Sequence, residues 1–415
     1  MTAPEGLTVL LGAGASHEAK LPMSFALTEG ITEHVEQGMG GRSGTAEALH
    51  IAIGAMIAHD TANGKRAFAG IDVERLFSAV QMLGQRNEVE LTPFVSSWNG
   101  ALESVARSKG MSTFFGRNFR RALQSDFASD IDDVFKEGVE AVVGRAIEPV
   151  FRQLEGRMVA ALREVLAVDP AKVDYLAPLL AGTEKPIQIA TLNYDRTIEV
   201  LAERAGLTYD TGVESWSGGF DWTWSSEANV RLLKLHGSID WWHERQKSTG
   251  DRLSQENITV DPNNNRDWNS RLAVIFGQRG KLRSDGPFLA MLRGLDEFLT
   301  RSSHLVVVGY SFRDDHINAA IRRWFNACDG PRVTVVNPAL TDFPYQFGGR
   351  DAPPFQRELL EAMRMTSEEP PFVTSARPPH QVLPMPASAA LKQLFGDGPR
   401  LAPVDAEQSA PGARA

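Results

Sequence analysis

The stretch "LTVLLGAGAS", residues 7–16, decides the fold class. A short apolar run comes directly before a glycine turn, and Ser16 stands where a helix would begin. An apolar run bounded by turn residues is typical of a buried strand. Glycines in such a turn let backbone N–H groups approach a phosphate closely. The stretch therefore predicts a buried strand that leads through a tight turn into a helix.

The same pattern returns in the second half of the chain. Short apolar runs alternate there with segments of helical periodicity, which is typical of a parallel sheet covered by helices on both faces. The sequence thus predicts an α/β fold with a Rossmann-like parallel sheet. The further strands are predicted at 187–191, 232–235, 271–277, 304–308 and 332–336.

The segment between the first two strands is predicted to be all-helical, because apolar residues recur in it at helical spacing. This spacing is found at 47–60, 73–85, 114–127 and 149–168. After about residue 366 the chain is rich in proline, alanine and serine, which favours a linker and a disordered tail. The predicted bounds are 1–40 with 183–345 for the sheet domain, 41–182 for a large helical insertion, and 346–415 for a C-terminal helix, Pro-rich linker and tail.

Composition argues against several classes of protein. With 42% hydrophobic and 23% charged residues, the 415-residue chain is typical of a soluble globular protein. A net charge of -9 argues against binding nucleic acid or an anionic membrane through the whole surface. The single cysteine, Cys328, excludes an intrachain disulfide and a structural zinc module, and no metal site is expected. No signal-peptide pattern or spanning apolar run is present, so we expect a cytoplasmic protein.

Polar or glycine-bearing loops follow five of the predicted strands. In an open parallel sheet, ligands bind beyond the carboxyl ends of the strands. Histidine is a suitable general base near neutral pH, so His236 becomes a candidate if its strand reaches the same edge as the others. As an isolated residue, it is more often structural. The loops are "GAGAS" (12–16), "LNYD" (192–195), "HGS" (236–238), "GYSF" (309–312) and "NP" (337–338).

Turn chemistry offers a structural alternative for several of these residues. Asp195 and Ser311 are each placed to cap the helix that follows, and Asn337 precedes a proline, as is common in turns. His17 occupies the position where the usual dinucleotide fingerprint has glycine, so an ordinary dehydrogenase site is disfavoured. The residues alone leave the structural and the functional interpretations open.

Taken together and in this order, the motifs "GAGAS", "TLNYD", "KLHGS", "GYSFRDDHIN" and "VVN" resemble the sirtuin-like superfamily. Within it, they resemble a bacterial branch of NAD-cleaving anti-phage defence proteins. The resemblance covers roughly residues 7–40 and 185–340. It implies an NAD glycohydrolase that releases nicotinamide and ADP-ribose.

The resemblance also implies an arrangement of NAD along the five loops. Three catalytic residues would lie against nicotinamide and its ribose: His236 as the base, Asn193 to orient a water and Asp195 to bind the carboxamide. Pyrophosphate and adenosine would lie along the remaining loops. The residues implied for pyrophosphate are Gly12, Ala13, Gly14 and Ser16, and those for adenosine are Gly309, Ser311 and Asn337.

Two departures argue against the deacetylase activity of the superfamily. Protein deacetylases carry glutamine before the catalytic asparagine, where this chain has Leu192, and they carry a four-cysteine zinc module. Two alternatives to hydrolysis stay open, namely a non-enzymatic NAD or ADP-ribose sensor that controls assembly, and a protein ADP-ribosyltransferase.

The resemblance implies that the protein works in a larger assembly. In this branch, NAD cleavage typically acts as the effector of abortive infection and therefore needs a controlled off state. We expect a homo-oligomer and, from the layout of the chain, a separate HerA-like DNA-translocase ATPase as partner. Neither direct nucleic-acid binding nor membrane association is expected.

Overall fold

The structure is a computed structural model whose contacts divide the chain into two compact units. One unit consists of Met1–Met23 with Leu166–Ala415, and the other of Ser24–Val165. The residues that it describes are 6–37, 44–64, 71–85, 148–181, 186–216, 218–219, 221–246, 255–262, 272–276, 287–341, 352–367 and 380–404.

The first unit contains a sheet of seven parallel strands in the order β10-β9-β8-β1-β2-β4-β3 and a smaller antiparallel sheet in the order β6-β5-β7. The α/β fold with a parallel sheet is therefore confirmed. The strands are β1 (Gly6–Leu11), β2 (Ile187–Thr191), β3 (Tyr209–Asp210), β4 (Val230–Lys234), β5 (Gly237–Gln246), β6 (Gln255–Val260), β7 (Leu272–Val274), β8 (Ser302–Val308), β9 (Arg332–Val336) and β10 (His380–Leu383).

Helices occur in both units. Among the described residues, no helix combines the length and the apolar character needed to cross a bilayer. The helices are α1 (Ser24–Gln37), α2 (Gly44–Ala62), α3 (Val73–Gly84), α4 (Glu148–Val165), α5 (Thr197–Arg204), α6 (Phe288–Thr300), α7 (Asp315–Ala327), α8 (Pro354–Ser367) and α9 (Ala387–Phe395), with 3-10 turns at Ala13–Ala19, Pro170–Lys172 and Asp174–Leu180.

Helices cover the parallel sheet on both faces, which explains why its strands are continuously apolar. Alternate residues of a strand point to opposite faces. In β8, Leu305 and Val307 belong to the core cluster that includes side chains of α6, α7 and α8. Val306 and Val308 belong to the other cluster, which includes side chains of α5 and α9. All four are at most 1% exposed, so neither face of the strand tolerates polar residues.

The order in which strands are added to the parallel sheet changes side at β1. From β1 the chain continues to β2 on one side, whereas β8 pairs with the opposite side of β1 and leads outward to β9 and β10. The crossover connections therefore diverge between β1 and β8. In open parallel sheets, ligands bind at such a switch point, beyond the carboxyl ends of the strands.

The smaller sheet begins directly after His236. Gly237 opens β5 with φ +83, and it pairs with Val274 of β7. A Cβ on Gly237 would overlap the carbonyl oxygen of Ala273, so this position requires glycine. Strand β5 includes the neighbouring aromatic residues Trp241 and Trp242. The strand expected at 271–277 belongs to this antiparallel sheet and not to the parallel one.

The helical unit consists of α1 to α4 among its described residues. Asp72 caps the start of helix α3, and its side chain accepts hydrogen bonds from the N–H groups of Glu74 and Arg75. Ser24 Oγ donates to the other oxygen of Asp72 at 2.6 Å, which joins the start of α1 to the start of α3. The contacts place α1 in this unit and 166–181 with the sheet, so the unit is shifted from the predicted 41–182. The helix predicted at 114–127 lies outside the described residues.

The interpretation of the C-terminal region as a linker and tail is wrong at residues 380–395. Strand β10 pairs in parallel with β9, and α9 packs against the sheet through the buried Ala390 and Leu391. The parallel sheet thus continues one strand beyond β9, which the sequence had indicated as the last.

Candidate functional site

The five predicted loops leave the parallel sheet at one level. Leu11 is in register with Thr191 of β2 and Val308 of β8. Thr191 pairs with Lys234, and Val308 pairs with Val336. The glycine turn and the loops at 192–195, 236–238, 309–312 and 337–338 therefore start one or two residues past a common line. The expectation that the strand before His236 reaches this edge is confirmed.

The glycine turn packs against the loop after β8, backbone against backbone. A Cβ on Gly12 would lie 2.5 Å from Cα of Tyr310, and one on Gly14 would lie 2.8 Å from Cα of Gly309. The N–H of Gly12 donates to the carbonyl of Val308 at 2.9 Å, and that of Gly14 donates to Gly309 at 3.0 Å. These two N–H groups are engaged within the fold. The backbone contacts give a structural reason for both glycines, and the contact of Gly12 and Gly14 with pyrophosphate stays a prediction.

Ala13 and Ser16 complete this turn. Ala13 is exposed, whereas Ser16 is buried and receives a hydrogen bond from another loop. The segment that follows is a 3-10 turn and not the α-helix expected from the sequence. Tyr175 donates its hydroxyl to the carbonyl of Ala15 at 2.5 Å, and burial raises the pKa of this phenol, so it stays protonated as a donor. Sequence analysis missed Tyr175.

Asn193 connects the loop after β2 to the glycine turn. Its Nδ2 donates to the carbonyl of Gly12 and to Oγ of Ser16, both at 3.0 Å. The side chain is 8% exposed. Because both amide hydrogens are used in this way, the carboxamide oxygen is the group of Asn193 that can accept a hydrogen bond from a ligand or water. The structure thus brings Asn193, Gly12 and Ser16 together.

Asp195 lies in a turn of the kind that the alternative interpretation described. Its Oδ1 accepts from the N–H of Thr197 at 3.0 Å and from Oγ1 of the same residue at 2.7 Å. Its backbone carbonyl accepts from Nζ of Lys234 at 2.6 Å, and the same Nζ lies 2.6 Å from Oε1 of Glu199. Lys234 is fully buried. This lysine, two residues before His236, fixes the loop that carries Asp195, and sequence analysis did not identify it.

His236 forms a buried pair with Asp314, a residue that the sequence motifs did not single out. Its Nε2 lies 2.8 Å from Oδ2 of Asp314, and both side chains are 6% exposed. The ring of Tyr194 lies 6.1 Å from the His236 ring, measured between centroids. A histidine paired with a carboxylate in an apolar setting is a suitable proton acceptor.

A small cleft lies against the pair of His236 and Asp314. Its other walls are mainly apolar. The remaining lining residues are Leu235, Ile275, Phe288, Leu292, His316 and Ile317.

The residues predicted near adenosine lie at the same edge, but two of them have local roles. Asn337 accepts the N–H of Ala339 through Oδ1 at 2.9 Å, which is the turn interpretation. Ser311 is exposed and does not cap α7, because Asp314 accepts the first N–H groups of that helix. At Gly309 a Cβ would overlap the backbone of Ala15, so close packing explains this glycine too.

In the part of the chain that the structure describes, no three His, Cys, Asp or Glu side chains are grouped so as to hold a metal ion.

The topology and the loop positions define an α/β protein of the Rossmann-like class, with a candidate site at the switch point. The family described as the SIR2-like domain matches residues 188–366, so this part of the chain is similar to a SIR2-like domain. The match includes the loops after β2, β4, β8 and β9. The glycine turn precedes it in sequence but joins the same sheet through β1.

Solved structures of Sir2 homologues resemble the chain over most of its length. A Sir2 homologue in complex with NAD is 13% identical, with 94% of this chain and 88% of that chain covered and a TM-score of 0.36. A mutant Sir2 homologue in complex with 2'-O-acetyl ADP-ribose is 14% identical, with 94% and 90% covered and a TM-score of 0.33. These scores are low, so the similarity to SIR2-like proteins depends on the sequence match over residues 188–366. No curated protein matches the chain.

Proposed function

We propose that the protein binds NAD at the switch point between β1 and β8 and hydrolyses it to nicotinamide and ADP-ribose. One observation carries the proposal. In a SIR2-like domain, Asn193 is bonded to the glycine turn at the switch point, and His236 follows the neighbouring strand at the same level. An amide and a histidine at this edge suit the cleavage of an N-glycosidic bond.

The residues at the edge fit a dinucleotide. Small residues at Gly12, Ala13, Gly14 and Gly309 keep the surface above β1 and β8 low, and Ala13 is exposed there. We place the pyrophosphate over Ala13 and Ser16, since the N–H groups of both glycines of the turn are engaged. Adenosine would then extend toward Gly309, Ser311 and Asn337, as the family resemblance implies.

The roles of the three catalytic candidates follow from the chemistry of the reaction. Nicotinamide departs as a neutral molecule, so no strong general acid is required, while positive charge develops on the ribose, as in glycoside hydrolysis. His236 accepts a proton from water or from a ribose hydroxyl. Asn193 orients the water through its carboxamide oxygen, and Asp195 binds the nicotinamide carboxamide through the oxygen that Thr197 does not occupy.

Product analysis tests the activity. Purified protein incubated with NAD is expected to release nicotinamide and free ADP-ribose. In His236→Ala and Asn193→Ala, the rate should fall about a hundredfold or more, because a positioned polar group is lost. His59→Ala, at an exposed histidine of α2, is the matched control and should keep the wild-type rate. Near-normal cleavage by a folded His236→Ala variant contradicts the assignment.

The same incubation separates the alternatives. ADP-ribose attached to protein indicates a transferase, which shares the bond cleavage and differs only in the acceptor. Unchanged NAD that nevertheless protects the protein against thermal unfolding indicates a sensor, because a ligand bound to the folded state stabilises it.

We further propose that the activity serves anti-phage defence in the cytoplasm, held off by assembly. The family resemblance and the compact helical unit, Ser24–Val165, support this role. That unit is the candidate surface for a homo-oligomer or for a HerA-like ATPase. The expected results are depletion of cellular NAD during infection and co-purification of the ATPase with the tagged protein. A monomer with full, regulated activity on its own contradicts the partner proposal.

A further inference from the structure

Asp314 contacts both the start of a helix and the candidate base. Its Oδ1 accepts the N–H groups of His316 at 3.0 Å and Ile317 at 3.4 Å, which caps α7. Its Oδ2 lies 2.8 Å from Nε2 of His236. One carboxylate therefore joins α7 to the turn after β4. We propose that Asp314 is a positioning residue that orients the His236 ring and sets which ring nitrogen carries the proton.

The backbone of Asp314 is itself held in place. The N–H of Asp314 donates to Oη of Tyr310 at 3.1 Å. The Tyr310 hydroxyl in turn donates to Oδ1 of Asn318 at 3.0 Å. Nδ2 of Asn318 in turn donates to the carbonyl of Phe312 at 2.9 Å. Tyr310 and Asn318 are both buried, 5% and 4% exposed. The carboxylate thus has a fixed direction, which a positioning role requires.

The chemistry of the pair fixes the tautomer of His236. A carboxylate has only acceptor atoms, so the ring nitrogen that faces Asp314 must carry the hydrogen. Neutral His236 then has its hydrogen at Nε2 and its basic lone pair at Nδ1. When Nδ1 accepts a proton, the hydrogen at Nε2 still faces the carboxylate of Asp314, and both side chains are buried. The predicted effect of Asp314 on the reaction rate rests on the proposed hydrolysis of NAD, whereas its predicted effect on the His236 tautomer does not.

The first experiment measures the tautomer directly. In protein labelled with ¹⁵N-histidine, the two nitrogens of neutral His236 give distinct shifts, and the signal is assigned by its absence in His236→Gln. The wild type is expected to carry the hydrogen at Nε2. Asp314→Asn keeps an oxygen for the helix cap, since Asn caps as well as Asp, but turns a donor toward His236. The hydrogen should therefore move to Nδ1.

The second experiment measures the rate. For Asp314→Asn we expect kcat for NAD cleavage to fall about a hundredfold or more, because the ring has the wrong tautomer, while KM stays within about threefold. Asp315→Asn removes a charge from the same helical turn at an exposed position and should match the wild type in both parameters. A merely structural role of Asp314 would not move the tautomer and the kcat together.

Either measurement can overturn the proposal. Wild-type His236 with its hydrogen at Nδ1 refutes it without any variant. It also fails if Asp314→Asn keeps the wild-type tautomer, or a kcat close to that of the wild type. If Asp314→Asn does not fold, Asp314→Ser is the second variant. It retains an oxygen that can cap α7 but removes the carboxylate oxygen that faces His236, so both tautomers of the His236 ring should be populated. A wild type that leaves NAD intact refutes the proposed hydrolysis, and the tautomer shift still decides the role of Asp314.

Discussion

Gly237 sets the direction in which the chain leaves His236. Its φ of +83 lies in the left-handed region, and a Cβ there would overlap the carbonyl oxygen of Ala273 in β7. The position therefore combines backbone strain with a steric clash for any other residue. Gly206, after α5, has a similar φ of +66 but no atom within 4 Å of an added Cβ. A substitution at Gly206 thus tests the left-handed backbone conformation alone, whereas one at Gly237 tests that conformation together with the steric clash.

At this scale we predict that Gly237→Ala destabilises the protein far more than Gly206→Ala does. The control adds only the left-handed strain, about 1–2 kcal/mol. Gly237→Ala must also push β7 away from the turn after β4, which adds a backbone clash to that strain. Thermal unfolding of both variants measures the difference. Equal melting temperatures contradict the backbone contact between Gly237 and Ala273.

At the scale of elements, a buried ion pair ties β4 to α5. Lys234 is 0% exposed, and its Nζ lies 2.6 Å from Oε1 of Glu199, which is 3% exposed. Burial raises the pKa of Glu199, an effect that the nearby Lys234 opposes and Asp240 reinforces. The pair holds the loop that carries Asp195, because the same Nζ also bonds the Asp195 carbonyl.

We predict that Lys234→Met destabilises the fold by about 3–5 kcal/mol at neutral pH, since it leaves one buried charge without its partner. Without Lys234, the pKa of Glu199 rises further. A carboxyl group with a raised folded-state pKa favours the folded state below its ordinary value of 4.5, and this advantage is lost as the pH rises through the folded-state value. The cost should therefore be larger at pH 8 than at pH 5, in denaturant unfolding.

Glu199→Gln in the Lys234→Met background is the control for this pH dependence. The double variant has no buried charge at either position, so its stability should change with pH less steeply than that of Lys234→Met. If the two pH profiles coincide, Glu199 is not the group that titrates.

Strand ends were predictable from the sequence, whereas the partners of the site residues were not. Apolar runs followed by polar loops indicated where Asn193 and His236 leave the sheet, because both faces of a parallel sheet exclude polar residues. The pairing of Asp314 with His236 was not predictable, since the two residues are 78 positions apart in sequence. Lys234 carried a usable signal. A lysine inside a continuously apolar strand must be buried, and a buried lysine needs a partner.

At the scale of the molecule, the sheet is completed by residues that resemble a tail in composition. Strand β10 has only four residues, from His380 to Leu383, and follows a proline-rich segment. A strand of four residues is too short to show a clear hydrophobic periodicity. The prediction for this region therefore followed its proline-rich composition. In the structure β10 forms the edge of the sheet beside β9, and burial lowers the pKa of His380, whose Nδ1 accepts the N–H of Val333 at 3.2 Å. The neutral ring is therefore the form that the fold uses.

The role of α9 gives the last prediction. Leu391 is 0% exposed and belongs to the core cluster that includes Val306 and Val308 of β8, whereas Gln393, two residues on, is exposed. Leu391→Ala should cost about 2–5 kcal/mol in the free energy of unfolding, from lost burial and a cavity. Gln393→Ala, in the same helix, should change it by less than about 0.5 kcal/mol. Denaturant unfolding compares them, and a detachable tail would make both substitutions neutral. The difference thus measures whether the chain beyond α8 is part of the core that supports the site.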